Sequence, residues 1–302
     1  MTGIAIIGFG EAGKIYAQDL AHRADVRVWD KKFLTAEGNH LRALAMQIGV
    51  QPSSSLTDAL NGTNLVLSLV TASSALDVAK QAAPLLGGGQ ILLDFNSVAP
   101  ATKRAAATAI AAGDGDYLDV AVMAPVPPKR LATPLLIGGR AASYAAEALK
   151  ALGCNARSAS ERIGDVSAIK MCRSVMIKGL EALTTECLSA ARQYGVEEAV
   201  LASLHASFPS LGWNDQLPHY LISRVAEHGV RRAEEMGEVV KTLQDVDTSA
   251  VMSQATQKIQ AELPAKMAEQ GVSYTALTPF VWQDTVDRIR SVDKTQRLPD
   301  ER

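Results

Sequence analysis

The 302-residue chain carries no strong charge of either sign: 30 Lys and Arg stand against 32 Asp and Glu, a net of −2. It therefore lacks the basic field by which proteins attract nucleic acid or an anionic membrane surface, and neither is expected as a partner. It also lacks any apolar run approaching the roughly 20 residues that span a bilayer. No charged leader with a cleavable apolar stretch opens the sequence; strand-like residues begin within four positions, and a cytoplasmic location is expected. Cysteine is scarce. Cys154, Cys172 and Cys187 form no CxxC pair, and an odd count without metal spacing predicts reduced, mostly buried thiols. The five histidines show neither HxH nor HExxH, so no metal site is expected.

What is present is ordinary globular material, 47% hydrophobic and 21% charged, in a length that suits two domains. Runs rich in β-branched and aliphatic residues recur at 3–8, 26–29, 64–70, 90–94, 117–122 and 134–137. Ala-rich helical stretches lie between most of them, as at 11–22, 39–48, 74–84 and 101–112. Nearly continuous apolar strands alternating with helices predict a doubly wound parallel sheet covered on both faces. Strand signals stop near 160. From 163 onward the pattern is helical, with breakers at Gly195, Pro209, Gly212, Pro218, Gly271 and Pro279. The reading is thus an α/β domain over 1–160 and an all-helical domain over 161–302, opened by a long interdomain helix. The polar tail "DKTQRLPDER" is expected to be mobile.

The first strand ends in "GFGEAG" (8–13) and opens a helix, and a second strand ends at Asp30, 22 residues after Gly8. This is the context that makes a GxGxxG turn a dinucleotide site. Gly8 permits the tight turn, Gly10 lets the backbone approach a pyrophosphate, and Gly13 lets helix and strand pack closely. The turn formed by Gly8, Phe9, Gly10, Glu11, Ala12 and Gly13 then presents free N–H groups and the helix dipole to the phosphates. Asp30 accepts from the adenosine ribose hydroxyls and favours NAD. Lys31 and Lys32 keep NADP open, since either can hold a 2′-phosphate.

Four motifs in order, "GFGEAG", "DFNSVAP" (94–100), "DVAVMAP" (119–125) leading to "LLIGG" (135–139), and "GDVSAIKMCRS" (164–174), resemble those of the β-hydroxyacid dehydrogenase family. That family includes 3-hydroxyisobutyrate and 6-phosphogluconate dehydrogenases. The remainder, particularly "RRAEEMGEVV" (231–240), resembles a divergent branch whose C-terminal domain lacks an assigned function. The resemblance implies a Rossmann-type domain followed by helices, an active site in the crevice between them, and a homodimer. It implies NAD(P)-dependent oxidation of an alcohol, a hydroxy acid or a bulkier relative, with Lys170 as general acid–base. Lys170 sits among apolar neighbours, which predicts a desolvated amine with a lowered pKa. Lys178 has no motif around it and is the poorer choice.

The same resemblance assigns Val70, Thr71 and Asn96 to the cofactor, and Ser97, Met123, Ala124 and Ser174 to the substrate. Ser174 stands where the family has asparagine, and Met123-Ala124-Pro125 stands where it has Ser-Gly-Gly. Pro125 has no N–H to give and Met123 no hydroxyl, so carboxylate capture shifts elsewhere, to Arg231 or Arg232. Two alternatives stay open: an imine reductase-like enzyme, against which Lys170 argues, and a non-catalytic NAD(P)-binding regulator.

Overall fold

The computed structural model describes residues 2–290; the tail read above as mobile lies outside them. Two compact units divide the chain, Met1–Met171 and Cys172–Arg302.

In the first unit, eight strands form one sheet: β1 (Gly3–Ile7), β2 (Asp25–Trp29), β3 (Gln51–Pro52), β4 (Leu65–Ser68), β5 (Ile91–Asp94), β6 (Asp116–Val122), β7 (Leu135–Gly138) and β8 (Ala156–Ser160). Their order is β3-β2-β1-β4-β5-β6-β7-β8. The first six reproduce the doubly wound order, with its reversal beside β1. All residues of β1, β4 and β5 are buried, because helices cover both faces. One face packs Ile4, Ile6, Leu65, Leu67, Ile91 and Leu93; the other packs Ala5, Ile7, Val66 and Leu92. The alternation along each strand assigns successive side chains to opposite cores.

The sheet is mostly parallel, as the sequence predicts, and β7 departs from it by running antiparallel to β6. The β6–β7 connection carries only a short helix, α6 (Val126–Lys129), and a 3₁₀ turn. That is too little to lay a full crossover helix over the sheet, so the chain reverses. β3 and β8 gave no apolar signal. β3 is two residues long, and β8 is a sheet-edge strand whose middle residues are exposed.

The parallel register aligns Ile7, Trp29, Ser68, Asp94 and Asp119 across β1, β2, β4, β5 and β6. The segments that follow these residues, except the last, therefore emerge on one edge. The covering helices are α1 (Glu11–Leu20), α2 (Asn39–Gln47), α3 (Leu56–Leu60), α4 (Ala75–Ala82), α5 (Pro100–Ile110) and α7 (Ala142–Ala151).

A 30-residue helix, α8 (Asp165–Tyr194), runs through the residue at which the two units divide. It is followed by α9 (Glu197–Ser207), α10 (Leu217–Gln244), α11 (Val251–Glu269) and α12 (Trp282–Arg290). The breakers read from sequence fall at or between helix ends. Gly195, Gly212 and Gly271 take positive φ, Pro218 lies in the first turn of α10, and Pro209 and Pro279 precede later elements. The core of this unit gathers Leu188, Ile222, Val225, Leu263, Met267, Trp282 and Val286. Gly229 lets α10 and α11 approach closely, since a Cβ there would stand 2.2 Å from the Gln260 carbonyl oxygen.

Among the described residues no helix is long and apolar enough to cross a membrane. The thiols differ from expectation. Cys154 is buried, and burial pushes its pKa up to about 12, but Cys172 and Cys187 on α8 are exposed.

Candidate functional site

The three glycines of the first turn have three different surroundings. Gly8 takes φ +98°, and a Cβ on it would stand 2.4 Å from the Leu69 carbonyl oxygen. A Cβ on Gly13 would stand 2.0 Å from the carbonyl oxygen of Gly8. Both positions are closed by this chain's own backbone. Gly10 is exposed, and a Cβ on it would meet nothing within 4 Å. Its bareness serves no packing within the chain. Gly10 is also the N-cap of α1, and no side chain caps that helix, so the first-turn N–H groups lack a side-chain acceptor. A cradle left open at an uncapped helix start fits the pyrophosphate of a dinucleotide.

Asp30 closes this loop from below. Its Oδ2 accepts the Phe9 N–H at 2.7 Å and its Oδ1 the Lys32 N–H at 2.9 Å. Each carboxylate oxygen keeps a lone pair for a ribose hydroxyl. Phe9 gives only its backbone to the loop, since its ring is buried edge-on against Phe33. Glu11 is exposed and Ala12 half-buried. Lys31 and Lys32 stand exposed on the 3₁₀ turn capped by Asp30. Along the same edge, the half-buried Val70 lies against the Gly8 turn, and exposed Thr71 bonds Ser73 and Ser74 through its hydroxyl.

Asn96 is buried. Its amide nitrogen donates to Ser68 Oγ at 3.0 Å and to Asp94 Oδ1 at 2.6 Å, while its Oδ1 is buried with no hydrogen-bond partner among the described residues. Such an orphaned acceptor fits a donor on a bound molecule. Ser97 beside it is half-buried. Met123 and Ala124 are half-buried, Pro125 is exposed, and Met123 packs against Val166 of α8. Lys170 is half-buried, one turn beyond Val166 and Ser167.

Beneath that edge lies a set of charged groups that the sequence reading did not single out. Lys103 is fully enclosed on the inner stripe of α5, with Pro100, Ala106 and Ile110. Its Nζ stands 3.2 Å from Asp94 Oδ1 and 3.2 Å from Asp119 Oδ1, and donates to the Asp94 carbonyl at 2.6 Å. Tyr117 donates its hydroxyl to Asp94 Oδ2 at 2.8 Å; burial and the two carboxylates hold its pKa well above the ordinary phenol value. The signal was a lysine in phase with the apolar positions of a helix.

In the second unit Ser174 is buried, 3.5 Å from Lys178 Nζ. Lys178, read as the poorer lysine, is buried and pairs with Glu235 at 2.7 Å. Arg231 is exposed and pairs with Glu235, whereas Arg232 is buried and pairs with Glu181 at 2.9 Å. Burial pushes the Glu181 carboxyl up, and Arg232, Gln260 and Lys178 pull it back. Gln260 donates to Glu181 at 3.0 Å. These residues make a polar seam inside the helical unit.

The chain matches the family model described as the NAD binding domain of 6-phosphogluconate dehydrogenase over residues 3–161, and a domain of unknown function over 191–263. It is 41% identical to a conserved hypothetical protein of Sinorhizobium meliloti whose solved structure superposes with a TM-score of 0.78, covering 96% of this chain and 97% of that one. It is 27% identical to 3-hydroxyisobutyrate dehydrogenase of Pseudomonas aeruginosa over 70% of this chain and 72% of that protein. A Mycobacterium tuberculosis 3-hydroxyisobutyrate dehydrogenase shares the fold, with a TM-score of 0.75 at 14% identity over 96% of this chain and 100% of that one. Solved reductive aminases and an imine reductase share it too, at 16–19% identity.

Proposed function

The chain belongs to the family defined by the NAD-binding domain of 6-phosphogluconate dehydrogenase, and from that membership we propose that it is an NAD(P)-dependent dehydrogenase oxidising a CH–OH group reversibly. The open cradle at Gly10 carries this reading, because nothing in the packing of the described residues calls for a glycine there. A nicotinamide cofactor held at the Gly10 turn and Asp30 would supply the hydride acceptor for the carbinol carbon. Lys170 Nζ takes the hydroxyl proton as the carbonyl forms and returns it in the reverse direction. Asp30 supports a preference for NAD, since its carboxylate repels a 2′-phosphate; the exposed Lys31 and Lys32 are the groups that would accommodate NADP.

The substrate is a hydroxy acid or a bulkier relative. Met123 offers an apolar wall in place of a hydroxyl, and Arg231 the cationic group for an acid. Ser97, Ala124 and Ser174 complete the substrate set. A homodimer is supported by a stripe on α8: Met176 is 74% exposed and Leu183 55%, and the exposed Cys172 and Cys187 extend it at helical spacing. Exposed apolar side chains aligned on one helix face call for cover. Cofactor titration followed by turnover on hydroxy acids, aryl alcohols and cyclic imines tests the proposal. Oxidation of the alcohols supports it. Reduction of the imines alone, or cofactor binding without turnover, replaces it with one of the two alternatives.

A further inference from the structure

We infer that Asp119 is a positioning residue for Lys170, and that Lys103 holds it in place; the inference rests on the acid–base reading of Lys170. Register sets Asp94 directly beside Asp119 on neighbouring strands, and Lys103 joins the two carboxylates from α5. Two buried carboxylates and one ammonium leave one negative charge uncancelled. Removing such groups from water is costly, and an apolar core of the same volume is often more stable. The arrangement thus calls for a purpose besides stability.

The remaining bonds of Asp119 supply one. Its Oδ2 accepts the Gly164 N–H and the Ser167 N–H, each at 3.2 Å, and its Oδ1 accepts the Ser167 hydroxyl at 2.7 Å. All three donors belong to the start of α8, where the helix dipole also favours a carboxylate. Gly164 takes φ +98° to aim its N–H this way. Three bonds to one fully buried side chain fix the rise and rotation of the first turn of α8. Lys170 follows Ser167 by three residues, one turn along the helix, so the amine is set by that turn. Three motifs distant in sequence, those at Asp94, Asp119 and Gly164–Lys170, become one device: a strand-held charge that registers the helix bearing the proton carrier. Misplacing a reacting group by about 1 Å can cost on the order of 100-fold in rate.

The test compares Asp119→Asn, Ser167→Ala and Ser167→Thr in the full chain. Lysines are reductively methylated with ¹³C, and the Lys170 resonance is identified by its loss in Lys170→Arg. We expect that resonance to move in Asp119→Asn and Ser167→Ala and to return in Ser167→Thr, with the Lys178 resonance still. On a turned-over alcohol, kcat falls about tenfold or more in the first two variants and recovers in the third, while the Kd for NADH stays within about twofold. Should Asp119→Asn fail to fold, Ser167→Ala decides, since it removes one hydroxyl. An unmoved Lys170 resonance in a folded Ser167→Ala overturns the inference. Full activity in Lys170→Ala, with the resonance shifts intact, overturns only the acid–base reading.

Discussion

The two units use buried polar groups in opposite ways. The α/β unit has apolar cores on both faces of its sheet and confines its buried ion pairs to one place, where Asp94 at the end of β5, Asp119 within β6 and Lys103 of α5 meet. The helical unit runs a polar seam between its helices, with Lys178 to Glu235, Glu181 to Arg232, and Gln260 on Glu181, and shows an apolar stripe outside. The first unit separates fold from chemistry. The second mixes them, which is why its function is harder to read.

The largest effect is expected at Gly13. Valine there drives a side chain into the Gly8 carbonyl, 2.0 Å from the Cβ position, and we expect a loss above about 4 kcal/mol, seen as a collapsed melting temperature or insoluble protein. A melt within a few degrees of the unaltered protein would show that the turn yields.

The seam comes next. Arg232→Met leaves Glu181, 1% exposed, without its ion-pair partner, at a cost of about 3 kcal/mol at neutral pH by urea titration. Burial already raises Glu181, so the folded state of the variant binds a proton more readily than the unfolded chain does. Its penalty is full above the raised pKa and shrinks as pH falls toward the unfolded carboxylate value of about 4.3. A penalty that grows on acidification would mean that Glu181 does not carry the charge.

Gly10→Val sharpens the contrast within one motif. The same substitution that breaks the fold at Gly13 should leave the melt unchanged here and weaken NADH binding by about 100-fold, the worth of roughly two charge-assisted hydrogen bonds. Undiminished binding would detach the turn from the cofactor. The smallest effect is expected at the substrate wall. Met123→Ser with Pro125→Gly restores a hydroxyl and an N–H, and kcat/KM should move toward small hydroxy acids by about tenfold, near 1.4 kcal/mol. No change in preference would place this wall away from the substrate.

What was legible follows from the same contrast. Gly8 and Gly13 are dictated by backbone geometry, and a backbone demand leaves one residue type in the sequence. Asp30 was legible because its distance from the turn is fixed by one strand and one helix. The partners of Lys103 were not, since they lie on two strands whose register appears only when the sheet forms. Nor was Lys178, because no spacing along α8 discloses Glu235 on another helix. Lys170 was read as enclosed by apolar neighbours, yet Ile169, Met176, Ile177 and Leu183 are among the exposed side chains of the chain. A run that is apolar all round fixes neither which side faces inward nor what covers the other.

The most direct measurement is turnover by Lys170→Ala on a hydroxy acid that the unaltered protein oxidises, with NADH affinity titrated alongside. With Lys170 as the proton carrier, kcat falls by roughly 10²–10⁴ with affinity within about twofold, and arginine, whose guanidinium holds its proton, gives no rescue. Full turnover in Lys170→Ala would contradict that role.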